Sequence, residues 1–216
     1  MWHFKRWSRL KQSRGYGIHS QFAFNLITNV LYQKNDYYAF HDIPKILREH
    51  GLQSCGRSDF NQLSFRLVNH FKSKRILEIN SGMGVNTCYL TSVASDIHCT
   101  CVEKDMNSVE AAKKLLAGAG SRCEFVTGMK KGSMESYDAI FIGLKEKESM
   151  PDLSVESLLQ LSHENTFWII YPITGDENKQ FWSDIVKDER INITFDLKTT
   201  GIALLRHSFY KMNYMV

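Results

Sequence analysis

The sequence predicts an α/β protein: a doubly wound, mostly parallel sheet of seven strands with an antiparallel C-terminal edge, behind an N-terminal helical cap. Three observations predict it. After Lys74 the chain alternates short β-branched runs with amphipathic stretches, at the spacing that right-handed βαβ crossovers require. A turn of small residues, Asn80-Ser81-Gly82-Met83-Gly84, joins the first run to the helical stretch after it. Finally, 216 residues that are 43% hydrophobic and 23% charged suffice for one large domain and exclude collagen-like, disordered and polytopic membrane architectures.

The elements follow in chain order. Lys5, Arg6, Arg9, Lys11 and Arg14 place five positive charges in the first fourteen residues, so the net charge of +4 sits in this arm and the rest of the chain is near −1. Trp2, Phe4, Trp7 and Leu10 make the arm amphipathic. It suits an anionic surface or a return onto the domain, and the second reading is preferred. Apolar spacing predicts a helix from Ser20 to Leu31, entered through Gly15-Tyr16-Gly17, then a helix over Ile43–Glu49 ended by Gly51. Gly51 to Ser58 reads as a loop, and Asp59 to Phe71 as a helix with Leu63, Leu67, Val68 and Phe71 on one face. Residues 1–73 are thus read as arm and cap, and 74–216 as the main domain.

In that domain strands are expected at Arg75–Ile79, Ile97–Glu103, Glu124–Thr127, Ala139–Ile142 and Thr166–Tyr171. Helices are expected near Val85–Ala94, Met106–Ala117, Ser154–Leu161 and Asn178–Asp188. The tail offers Asn192–Leu197, Ile202–Arg206 and Tyr210–Val216 as hairpin-like antiparallel edge strands. No apolar leader follows Met1, and the longest apolar stretch, Thr166 to Ile173, is too short to span a membrane, so a cytoplasmic protein without a membrane span is expected. The five cysteines, at 55, 88, 99, 101 and 123, have no Cys-x-x-Cys spacing and read as buried reduced thiols, with Cys99 and Cys101 on one face of a strand.

The chemistry concentrates at the ends of the first two strands. In doubly wound sheets nucleotide-like ligands lie outside the carboxyl ends of the strands, against the first turn. Here that turn follows Glu78, and the second strand ends in Glu103-Lys104-Asp105 about twenty residues on, where a carboxylate can accept ribose hydroxyls.

With these residues the sequence resembles the class I S-adenosylmethionine-dependent methyltransferases, a Rossmann-like family, over about Lys74 to Arg206. The resemblance implies that S-adenosylmethionine is the cofactor. It implies Glu78, Asn80, Ser81, Gly82 and Gly84 as contacts to its methionine part, Glu103 with Lys104 beside its ribose, Gly128 and Met129 bordering its adenine, and Gly143 on the floor of the site. The opening Arg14-Gly-Tyr-Gly-Ile-His19-Ser20-Gln21-Phe22-Ala-Phe24 is similar to one in a group of bacterial O-methyltransferase-like proteins, with Gln21 where proline is usual. Asn80 replaces the family's usual first glycine, Met129 an acid, and Gly143 the metal-binding aspartate of catechol-type enzymes, while Tyr171-Pro172 stands where those have an acidic pair or Asp-Asn. No catalytic metal is therefore expected.

These readings lead to a methyltransferase acting on an oxygen or nitrogen of a small molecule, or to a catalytically silent relative that binds or scaffolds. A nicotinamide-dependent oxidoreductase is disfavoured by Asn80 breaking the glycine series. Nucleic-acid modification through the arm is less favoured than a small acceptor, and a homodimer through the cap helices or the edge hairpin stays open. No catalytic residue is assigned. His19 is a candidate base but fits helix entry better, Tyr171 suits substrate positioning or packing equally, and Asp138 reads as structural. His98, His163 and His207 lack ligand spacing, and Phe167, Trp168, Phe181 and Trp182 read as core.

Overall fold

A computed structural model describes residues 9–52, 58–129, 136–144 and 152–216. Eight strands form one sheet in the order β3-β2-β1-β4-β5-β7-β6-β8. They are β1 Arg75–Ile79, β2 His98–Val102, β3 Cys123–Val126, β4 Tyr137–Gly143, β5 Ser162–Tyr171, β6 Ile193–Asp196, β7 Gly201–Leu204 and β8 Met212–Met215. The first five are mutually parallel, and β7 is antiparallel to both β5 and β6. The seven-strand expectation is corrected to eight, and the expected direction of the last strand is corrected too. β8 runs parallel to β6, with Ile193 opposite Met212 and Asp196 opposite Met215. The reason lies in the connection from β7, which crosses the start of β6 rather than turning back on itself. There Asn192 donates from Nδ2 to the carbonyl of Phe209 and accepts the Met212 N–H on its own carbonyl.

Helices cover both faces. In chain order they are α1 Gln21–Leu26, continued by a π-helical segment Ile27–Leu31, α2 Tyr38–Glu49, α3 Ser58–Phe71, α4 Val85–Thr91, α5 Met106–Leu115, α6 Val155–Gln160 and α7 Asp176–Lys187. Ser20 caps α1 by accepting the Ala23 N–H, while His19 is exposed. α2 starts five residues before its expected start, with Pro44 inside it. The lost donor and the clash of proline are outweighed by the face carrying Ile43 and Leu47, which packs with Val85, Tyr89 and Leu115.

Because side chains alternate along β1 and β2, each strand feeds two cores. Ile76, Cys99 and Cys101 join Leu26, Ile27, Leu67 and Val68 on one face, so the N-terminal helices share a core with the sheet. Leu77, Ile79 and Val102 join Trp168, Phe181, Trp182 and Ile185 on the other. The four aromatics read as core are all buried. Trp182 lies against Gly201 so closely that a Cβ there would stand 2.6 to 2.8 Å from three of its ring atoms. Gly201→Ala is expected to cost about 3 kcal/mol, measured by urea unfolding, and Trp182→Leu in the same chain should recover part of it.

The described part of the arm returns to the domain. Arg9 Nη1 donates to the carbonyl and the carboxylate of Asp196 and to the carbonyl of Val216, and Gln12 Oε1 accepts the Met215 N–H. It thereby pairs the Met215 N–H at the end of the outer edge of β8, a backbone group that would otherwise stay open to another strand. Lys11 and Arg14 remain exposed, whereas Trp2, Phe4, Lys5, Arg6, Trp7 and likewise Cys55 lie outside the described residues.

Candidate cofactor site

The expected turn sits where the order of strands reverses, with β2 and β3 to one side of β1 and β4 and β5 to the other. In open α/β sheets this crevice holds the ligand. Three alternate residues of the turn have positive φ: Asn80 at 56°, Gly82 at 55° and Gly84 at 76°. Gly82 has open space where a Cβ would be, so a ligand can approach its backbone. Gly84 serves packing instead. A Cβ there would meet Ala112 Cβ at 3.0 Å and Leu116 Cδ1 at 3.1 Å, so this glycine lets α4 and α5 approach.

Glu103, 8% exposed at the end of β2, holds the turn from the other side. Its Oε2 accepts the Gly82 N–H at 2.7 Å, and its Oε1 accepts those of Lys104 at 2.8 Å and Asp105 at 2.9 Å. A carboxylate has about four acceptor sites, so these three bonds leave one for an incoming hydroxyl. Asp105 then caps α5 by accepting from Asn107 and Ser108.

Glu78 points the other way, beneath α4. It is 5% exposed, with Oε1 accepting from Asn86 Nδ2 at 2.9 Å and Oε2 from Thr87 Oγ1 at 2.6 Å. Burial pushes its carboxyl up to about 7; the Thr87 and Asn86 bonds oppose this, and the charge of Glu103 adds to it. Asn86 and Thr87 were not singled out by the sequence, although polar residues at buried positions on a short apolar helix are the signal that marks them. Burial also pushes the Cys88 thiol up to about 11 and those of Cys99 and Cys101 well above the ordinary range, which makes them poor nucleophiles at neutral pH.

Ser81 Oγ is buried with no hydrogen bond satisfying the usual geometry, the thiol of Cys101 being its polar neighbour. Asn80 donates from Nδ2 to the Gly143 carbonyl at 2.6 Å. Gly128 is exposed and open on its Cβ side, while Met129 is half-buried with Leu77, Val102, Val126, Tyr137 and Leu161 on the α6 and α7 face. Lys104 is exposed. Tyr171, at the carboxyl end of β5, has its ring 5.0 Å from that of Phe60 on α3. Asp138 lies at the opposite end of the sheet, accepting the backbone N–H groups of Lys74 and Arg75 and contacting His163, and its role there is structural. Among the described residues no three His, Cys, Asp or Glu side chains are grouped as a metal site.

This sheet order and turn define the class of fold. No protein-family model matches the chain, and no curated protein matches it by sequence. Solved structures do. A methyltransferase from Geobacter sulfurreducens superposes with a TM-score of 0.59 at 14% identity, covering 81% of this chain and 93% of that one. The SAH-bound methyltransferase of Podospora anserina gives 0.61 at 13% identity, covering 86% and 96%. An O-methyltransferase from Bacillus cereus in complex with SAH gives 0.58 at 18% identity, covering 83% and 96%. The fold is therefore that of the class I methyltransferases, a Rossmann-like sheet with helices on both sides. No described helix is long and apolar enough to cross a membrane.

Proposed function

We propose that the protein is an S-adenosylmethionine-dependent methyltransferase, independent of metal, acting on an oxygen or nitrogen of a small molecule. The observation that carries this reading is the left-handed Asn80–Gly84 turn at the reversal of strand order, fastened to a Glu103 carboxylate with one acceptor site to spare. The residues fit such a cofactor. Gly82 and Gly128 are open toward an incoming group, and the buried Ser81 hydroxyl has capacity for a further bond. Residues 74–216 carry the cofactor in this reading, and 1–73 form the cap.

When bound, the cofactor supplies a methyl group on a sulfonium, an electrophile. The work left to the chain is alignment, because the transfer is an in-line displacement whose rate comes largely from holding the acceptor close and collinear. The turn backbone and Glu103 hold one end of the cofactor, with Gly128 bordering the adenine and Met129 turned into the apolar core beneath the sheet. Tyr171 and Phe60 offer an aromatic wall beside β5 for the acceptor. A base is needed only for an acceptor hydroxyl that must lose its proton. Neither Gly143 nor Tyr171-Pro172 carries a carboxylate, so these two positions offer no hard oxygen ligand to a divalent ion.

Isothermal titration of purified protein, stripped of co-purified ligand, with S-adenosylmethionine and S-adenosylhomocysteine is the direct test. Micromolar binding, about −8 kcal/mol, is expected. Absence of binding at millimolar ligand would overturn the reading.

A further inference from the structure

We infer that Asn80 is a positioning residue, its side-chain amide clasping the Gly143 carbonyl across the β1–β4 gap so that the glycine turn is set in its ligand-binding form. The inference rests on the methyltransferase reading only in taking the turn as the ligand site.

The gap between β1 and β4 is the crevice itself, so a bond across it acts on the site's floor. On the β2 side the turn is held by backbone. The N–H groups of Asn80 and Ser81 reach the Val102 carbonyl at 2.9 and 3.3 Å, and that of Gly82 reaches Glu103. On the β4 side the Asn80 amide supplies the tie, at 2.6 Å. Without it the turn would be tethered to one wall of the crevice and free to swing from the other.

The choice of residue agrees. At φ 56° glycine is the least strained occupant, and asparagine is among the few others that tolerate this region. Glycine here would bring no side chain, so asparagine adds the one feature glycine lacks, a donor that reaches β4. Gly143 is shaped to match. A Cβ there would stand 3.2 Å from the Asn80 carbonyl oxygen and 3.4 Å from both Asn80 Cβ and the Ile79 oxygen, pressing on the turn it is tied to. Two departures from the usual motif, an asparagine in place of the first glycine and a glycine at the end of β4, thus form one contact.

The test uses the full chain with Asn80→Gly, which suits the same positive φ and removes the side chain with its amide, and Gly143→Ala, which leaves the Asn80 backbone freedom unchanged, as an independent second variant. Affinity for S-adenosylhomocysteine is read by calorimetry, hydrogen exchange over 79–85 by mass spectrometry, and the unfolding midpoint alongside. Asn80→Gly should lose about three- to tenfold in affinity, the equivalent of one hydrogen bond. Its turn amides should exchange faster in the free protein and return toward wild-type protection at saturating ligand, with the midpoint nearly unchanged. Gly143→Ala should shift affinity and exchange in the same direction. Wild-type affinity and exchange in both variants would overturn the clasp, as would losses that merely track a lowered midpoint. Should wild-type protein fail to bind, the methyltransferase reading falls, and turn exchange in the free variants still decides whether Asn80 sets the turn.

Discussion

Replacing Glu103 by alanine is expected to weaken binding of S-adenosylhomocysteine at least about tenfold, a loss of about 1.4 kcal/mol. Two effects combine. The substitution removes the acceptor offered to the ribose, and it also strands the N–H groups of Gly82, Lys104 and Asp105, which share this carboxylate at 2.7 to 2.9 Å. A donor left unpaired in a part-buried site costs about 1–3 kcal/mol, so the variant should also lose stability in urea. Glu103→Gln separates the effects. The amide keeps the shape and one acceptor oxygen but loses the charge that strengthens each bond, so the fold should survive while affinity falls by an intermediate amount. Calorimetry on both variants at one salt concentration is the measurement. Undiminished affinity in Glu103→Ala would remove Glu103 from the ribose site and leave it a purely structural anchor of the turn.

How far sequence reading reaches depends on the range of the interaction involved. β1 and β2 were legible because their apolar runs lie between faces that are both buried, and α5 because Asp105 caps it. β5 begins at Ser162 rather than Thr166, since its first turns of chain, Ser-His-Glu-Asn, are polar. What makes them a strand is pairing with Tyr137 and the His163–Asp138 contact, neither of which leaves a local pattern. The direction of β8 was likewise hidden. Four alternating residues serve a parallel or an antiparallel neighbour equally well, and the crossing of Asn192 by the chain near Phe209 decides between them.

The candidate site divides in the same way. Its glycine turn and Glu103 were visible as a strand-turn-helix spacing. The bonds that give them their geometry join residues 21 apart, for Gly82 and Glu103, and 63 apart, for Asn80 and Gly143. Sequence alone marked Asn80 as a loss relative to glycine. In the fold it is a tie. Similarly, Gly84 belongs to the motif by position but is required by the helix that packs on it, which is why a motif match and a ligand contact are separate claims.

Glu78 leads to the second large effect, a stability that falls as pH rises from about 4.5 to neutrality. Burial raises its carboxyl from the ordinary 4.5 to about 7 in the folded chain, whereas the unfolded chain keeps the ordinary value. The folded state therefore holds a proton that the unfolded state has released between those two values. Its contribution is full below about 4.5 and is lost as pH rises through about 7, a change of about 3 kcal/mol by linkage. The neutral carboxyl needs an acceptor for its own O–H, and Asn86 Oδ1, buried without a partner, supplies one once that amide turns over. Other shifted groups differ from it in range or in sign. Burial raises Asp138, but its bonds from Arg75, Lys74 and His163 together outweigh this and lower it, and Asp188 is lowered by its bond from Arg190, so what they add is lost only in acid. His70 is lowered by burial with Lys72 and Arg206 nearby, so its penalty grows below about 6.5, opposite in sign to Glu78. Urea unfolding from about pH 4.5 to 8 should show wild-type stability declining relative to Glu78→Gln, which keeps the hydrogen-bonding shape but cannot ionise, with the gap widening up to about pH 7 and levelling above it. Parallel profiles for wild type and Glu78→Gln over this range would mean that Asn86 and Thr87 compensate the buried charge in full, and that the carboxylate under α4 is ionised in the folded protein.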